Sequence, residues 1–121
     1  MDLKNEHCEA CRIDAPKLTD SEQKELLVLI PDWDIIHEDN VPHLKFIFTF
    51  QNYQSALDFT YQVGKLAEIE QHHPSLLTEW GKVTVQWWSH KIAGLHKNDF
   101  IMASKTQHLF DEFTQGNEEN S

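Results

Sequence analysis

Two cysteines, Cys8 and Cys11, are all the thiol chemistry that these 121 residues offer. A disulfide-stapled fold is excluded by so small a number. A structural zinc wants four ligands, and no second Cys-x-x-Cys occurs. The pair, with His7 beside it, reads as two reduced thiols in an irregular leading segment. Basic residues are also scarce. Ten Lys and Arg stand against twenty Asp and Glu, a formal net charge of −10, so nucleic acid is not expected as a direct partner. No apolar run approaches the roughly 18–20 residues that span a bilayer. The opening MDLKNEHCEA has no basic region followed by an apolar stretch, so no secretory signal is read and a cytoplasmic protein is the expectation. Internal repeats and low-complexity segments are missing too.

What remains is an ordinary globular composition, 40% hydrophobic and 11% aromatic. One domain is the expectation at this length, burying about two-thirds of its unfolded surface. Residues 1–17 read as irregular. Thr19 offers a helix N-cap with Glu22 three residues on, the capping-box spacing. Leu26, Leu27, Leu29 and Ile30 give this helix an apolar side, and Pro31 stops it. Residues 33–38 read as a short strand, with Asp39 and Asn40 supplying turn chemistry. Leu44, Phe46, Phe48 and Phe50 then alternate with Lys45, Ile47, Thr49 and Gln51, which puts four large apolar groups on one sheet face. Asn52 caps a long helix in which Ala56, Leu57, Phe59, Val63, Leu66 and Ala67 recur at helical spacing. Pro74 disfavours helical geometry at His73, so the helix ends at the paired histidines. Residues 76–80 and 82–89 read as strands about a turn at Gly81, and 92–97 as a loop. Asn98 is read as the cap of a last helix bearing Phe100, Ile101, Leu109, Phe110 and Phe113. The polar, acidic stretch 115–121 is expected to be a disordered tail. The order predicts an α+β fold over 18–114: a four-stranded antiparallel sheet with three helices packed on one face.

The chemistry is concentrated between Glu68 and Asp99. Glu68 lies one helical turn before His72. His73 and Pro74 follow, then His90 and Asp99. Imidazoles and carboxylates together supply proton donors and acceptors near neutral pH. A helix, a proline stop, a turn and a strand would fold this segment back on itself and let the histidines converge. Taken singly, each residue has a plainer reading. Paired histidines suit a solvated helix C-terminus. His90 suits a strand end, and Asp99 a helix start. Trp33, Trp80, Trp87 and Trp88 read as core or subunit contacts, although one could stack on a flat ligand. His7, His37, His43, His96 and His108 read as surface residues.

The pattern Glu68-x3-His72-His73-Pro74, an aromatic at Trp80, then His90 and Asp99 resembles the pterin-4a-carbinolamine dehydratases. HCEACR near the start, PDW at 31–33, LLTEWGKVTV at 76–85 and GLHKNDFIMA at 94–103 look like bacterial members of that family. The resemblance covers nearly the whole chain. It implies the same α+β fold, usually as a dimer or tetramer. It implies dehydration of 4a-hydroxytetrahydropterin to quinonoid dihydropterin, which recycles the pterin of an aromatic amino-acid hydroxylase. No metal or organic cofactor is required by that chemistry. By the resemblance His72 and His90 form the acid–base pair, and His73 orients or binds the pterin. The resemblance puts Glu68 and Asp99 with His73 among the pterin-binding residues; Glu68 could also fix the tautomer of His72, and Asp99 could steady a histidine or the pterin's polar edge. Gln71 stands where some relatives carry an acid. Two rival readings remain at this point: a zinc site built from His72, His73 and His90, and a non-enzymatic dimerisation partner.

Overall fold

The computed structural model describes residues 17–119; His7, Cys8 and Cys11 lie outside the described residues, as do Asn120 and Ser121. Helix α1 spans Asp20–Leu27. Thr19 Oγ1 accepts from Glu22 N at 3.2 Å, and Glu22 Oε1 accepts from Thr19 N at 2.9 Å, which closes the capping box. The bond from the Thr19 backbone, and secondarily that from its hydroxyl, holds the Glu22 carboxyl below its ordinary value. The helix stops earlier than Pro31. Leu29 N and Ile30 N bond Leu26 O and Leu27 O at 3.0 Å, and tight turns follow because the proline disfavours helix at Ile30.

Those turns deliver Trp33 to the core and lead into strand β1, Asp34–Glu38. Asp39 and Asn40 both take positive φ, 50° and 65°, and make the two-residue turn into β2, Val41–Thr49. Asn52 Oδ1 then accepts from Ser55 N at 2.7 Å and caps α2, Tyr53–Glu70. Strands β3 (Ser75–Glu79) and β4 (Lys82–Trp87) join through Gly81, whose φ of 75° suits glycine. The sheet order is β1-β2-β4-β3, and every pairing is antiparallel. The closing helix α3 runs over Lys97–Glu119. It passes through most of the stretch 115–121, which composition predicts as disordered; extending an established helix costs little per residue. Among the described residues no helix is long and apolar enough to cross a membrane.

The period of two in β2 sorts the sheet's faces. Leu44 and Phe48 join Val83, Val85 and Trp87 of β4 on the inner face, fully buried against Ala56, Phe59 and Val63 of α2 and Phe100 and Met102 of α3. Burying each large apolar side chain contributes about 1.5–3 kcal/mol. Phe50, Phe59, Phe110 and Phe113 extend this core in tilted and edge contacts with centroids 5.3–5.8 Å apart. Leu57, expected on the packed side of α2, is exposed on its flank, because helical spacing alone does not show how wide the covered stripe is. Strand β4 ends at Trp87, two residues before the expected Ser89. A bridge between Ser89 and Gly94 and a 3-10 turn at His90–Ile92 carry the chain to α3.

Candidate active site

The end of α2 aims the paired histidines in opposite directions. Gln71 takes the left-handed conformation, φ 54°. Its N–H donates to Glu68 O at 3.3 Å, and His72 N–H reaches back to Ala67 O at 3.1 Å. This is a Schellman ending with glutamine in the place usually held by glycine. The Gln71 side chain donates to the same Glu68 carbonyl at 2.6 Å. The sharp turn buries His72 and leaves His73 exposed, with Pro74 then releasing the chain into β3.

Inside the protein, His72 Nε2 lies 2.6 Å from Asp99 Oδ1. The other carboxylate oxygen accepts from Ser89 Oγ at 2.8 Å and from His96 N at 2.9 Å. Ser89 and His96 are both donors to Oδ2, so the carboxylate acts as an acceptor there; with His72 Nε2–H donating to Oδ1 in the same way, Nδ1 is its other nitrogen. Asp99 is wholly buried, with its two oxygens engaged by His72, Ser89 and His96. The imidazole of His72 lies nearly parallel to the indole of Trp87, with centroids 5.8 Å apart. Trp87 is fixed in turn by its Nε1–H on Thr106 Oγ1 at 3.2 Å.

Asp99 is placed by the start of α3. His96 Nδ1 accepts from Asn98 N at 3.1 Å while Asp99 accepts from His96 N. Asp99 thus supplies the return half of a capping box at the usual spacing, while the His96 ring caps the N–H one residue earlier. Asn98, expected as the cap, lies one residue inside the helix. His96 is buried, and so is His43; neither is the surface residue that its isolated position in the sequence predicts.

His90 stands at the exposed side. Its Nε2 lies 3.2 Å from the main-chain carbonyl of His73. A carbonyl only accepts, so Nε2 carries the hydrogen and Nδ1 is left to exchange a proton. The ring packs on Trp88 at 4.3 Å. Trp88 is stacked on His43 at 3.9 Å with the planes 1° apart, and His43 Nδ1 is 2.8 Å from Gln86 Oε1. The last residues of β4 and its extension therefore alternate in purpose: Trp87 and Ser89 serve His72, while Trp88 serves His90.

Glu68 does not take up the position expected beside His72; its Oε1 is 3.6 Å from Nε2 of His73, and both side chains are exposed. The left-handed turn at Gln71 is the reason, since it carries His72 inward, away from the exposed carboxylate of Glu68. Among the described residues no three His, Cys, Asp or Glu side chains converge as metal ligands would. The Nε2 atoms of His72 and His90 are engaged by a carboxylate and a carbonyl respectively. Sequence reasoning missed Ser89, His96, His43 and Trp88. Only His96 had a legible signal, its capping-box distance of three from Asp99.

Comparison with known proteins identifies the family. Residues 16–109 match the family described as pterin 4 alpha carbinolamine dehydratase. A protein of Nitrosococcus oceani, provisionally named a pterin-4-alpha-carbinolamine dehydratase, is 57% identical over 108 residues, covering 89% of this chain and 96% of its own. The crystal structure of a transcriptional coactivator/pterin dehydratase from Brucella melitensis superposes with a TM-score of 0.70 at 28% identity, over 78% of this chain and 98% of that one. With its helix-end histidines, buried aspartate and α-β-β-α-β-β-α order, the chain belongs to the pterin 4 alpha carbinolamine dehydratase family.

Proposed function

We propose that this hydro-lyase converts a 4a-hydroxytetrahydropterin to quinonoid dihydropterin by acid–base catalysis at His72 and His90. The elimination must break the C4a–O bond and the N5–H bond. The electron pair of C4a–O leaves with oxygen, which takes a proton and departs as water. The electrons of N5–H form the N5=C4a double bond, and that proton goes to a base. One imidazolium and one neutral imidazole meet both demands, and each such transfer typically contributes about 10²–10⁴-fold. The supporting geometry gives both histidines an Nε2–H that is already engaged, so Nδ1 is the exchanging atom in each. His73, exposed beside Glu68, is assigned to pterin binding. Asp99 acts through His72. No metal or organic cofactor enters the reaction. Cytoplasmic operation as a homodimer or homotetramer, recycling the pterin of an aromatic amino-acid hydroxylase, completes the reading.

The observation that carries it is the buried His72–Asp99 pair one residue from the carbonyl that holds His90. Turnover of the carbinolamine by wild-type and His72→Ala protein tests it. Loss of the enzymatic rate in the variant supports the assignment, and equal rates would sink it.

A further inference from the structure

The ring of His90 is exposed and sits at the start of a short turn, where an imidazole with free rotamers would lose its alignment. Three features hold it. Its Nε2–H rests on His73 O. Trp88 packs against its ring. Behind Trp88 stands His43, stacked at 3.9 Å and itself tied to Gln86 at 2.8 Å. The sheet order explains the sandwich. β2 lies on one side of β4 and β3 on the other. His43 comes from β2, and His73, whose carbonyl holds His90, is separated from the start of β3 only by Pro74. The two imidazoles thus flank one indole. A histidine at 5% exposure on the sheet face away from the helices is an expensive choice for packing alone, since its ring nitrogens need partners. Glu38 Oε2, 3.8 Å from His43 Nδ1, is the carboxylate facing it from β1.

We infer that Trp88 and His43 are positioning residues of the dehydratase site, acting through His90. Gln86 fixes the plane of His43, His43 fixes the plane of Trp88, and Trp88 fixes the ring of His90 so that Nδ1 faces the reacting pterin. The inference rests on the acid–base reading of His90 given above. A ring that swings off this plane leaves the chemistry possible but misaligned, and misplacement on the order of 1 Å can cost about 10²-fold. The loss should fall on kcat, because binding is assigned to His73.

The experiment compares Trp88→Leu, Trp88→Phe, His43→Leu and His43→Phe in the full chain. Trp88→Leu should lower kcat about 10- to 100-fold with KM nearly unchanged. Trp88→Phe and His43→Phe, which keep a flat face, should recover most of it. The double variant Trp88→Leu/His90→Ala should be no slower than His90→Ala, because a residue acting through His90 has nothing left to act on. Wild-type kcat in a folded Trp88→Leu protein, or a double variant well below His90→Ala, would overturn the inference. Proton NMR keeps it separate from the acid–base reading. The imidazole resonances that vanish in His90→Ala should be ring-current shifted in wild type and relax in Trp88→Leu. If His90→Ala keeps full kcat, the acid–base reading fails whatever the spectrum shows. If the resonances do not move, the positioning fails whatever the kinetics show. Should Trp88→Leu not fold, His43→Leu carries the same comparison from one ring further back, with a smaller expected loss.

Discussion

His72 Nε2 and Asp99 Oδ1 lie 2.6 Å apart with the aspartate wholly excluded from solvent. The pair joins the end of α2 to the start of α3, so one hydrogen bond serves both the fold and the site. A buried carboxylate with three donors cannot be replaced conservatively. In Asp99→Asn one oxygen becomes an NH2 group that faces donors. We expect a loss of about 2–4 kcal/mol, seen as a fall in Tm on the order of 10 °C or more, together with a drop in kcat of about 10²-fold or greater. Thermal unfolding and turnover on the same protein check both. A variant with unchanged kcat would show that the carboxylate does not orient His72.

The three site histidines should separate in kinetics. His72→Ala and His90→Ala are each expected to lower kcat by about 10²–10⁴-fold, and the double variant to approach the uncatalysed rate. His73→Ala should act mainly on KM, since its side chain is exposed and its carbonyl, the part that holds His90, survives the substitution. Steady-state kinetics on the three proteins decide the matter; a His73→Ala variant that loses only kcat would exchange the assigned roles.

Much of the fold is legible in the amino-acid sequence. The alternation from Leu44 to Phe50, the capping chemistry of Thr19 and Asn52 and the stop at Pro74 are local signals, and local signals specify elements. The histidines at 72, 73 and 90 and the acid at 99 stand out in the sequence through the family resemblance, since each taken singly has a plainer reading. What the chain hid is whatever depends on strand register or on tertiary pairing. His43 faces Trp88 only because β2 and β4 pair with Leu44 opposite Trp87, and no local pattern encodes that offset. His96 read as a surface residue because imidazole is an uncommon cap. Helical spacing puts Glu68 one turn before His72, but the left-handed Gln71 ends the helix first and gives Glu68 His73 as its neighbour.

Turnover should survive removal of metal. The elimination asks for proton transfer to a leaving hydroxide, and Nε2 of His72 and of His90 are already engaged by Asp99 and by the His73 carbonyl. Dialysis against a strong chelator is expected to leave kcat unchanged. Activity that disappears on chelation and returns with zinc would instead favour a three-histidine metal site.

The protein should self-associate. On the sheet face opposite the helices, Ile47 and Leu77 stand on either side of Thr84 in register, and both are substantially exposed. Thr84 between them is buried, so the centre of this face is already shielded while its two apolar flanks are not. On α2, Leu57, Tyr61 and Ile69 are exposed as well, and Trp80 is 72% exposed at the β3–β4 turn. Among the described residues β1 and β3 are the edge strands of the sheet, and an edge strand offers its outer backbone groups for pairing. Isolated exposed apolar residues are ordinary, but apolar residues gathered on a helix face, a sheet face and two open edges favour burial against another copy. Two-fold dimers are the commonest way to achieve it. Light scattering at micromolar concentration should return at least twice the chain mass of 14.2 kDa. The pair Leu57→Glu and Tyr61→Glu should weaken the assembly if α2 forms the contact, whereas Ile47→Lys and Leu77→Lys should do so if the open sheet face forms it. A mass of one chain at that concentration would count against both surfaces.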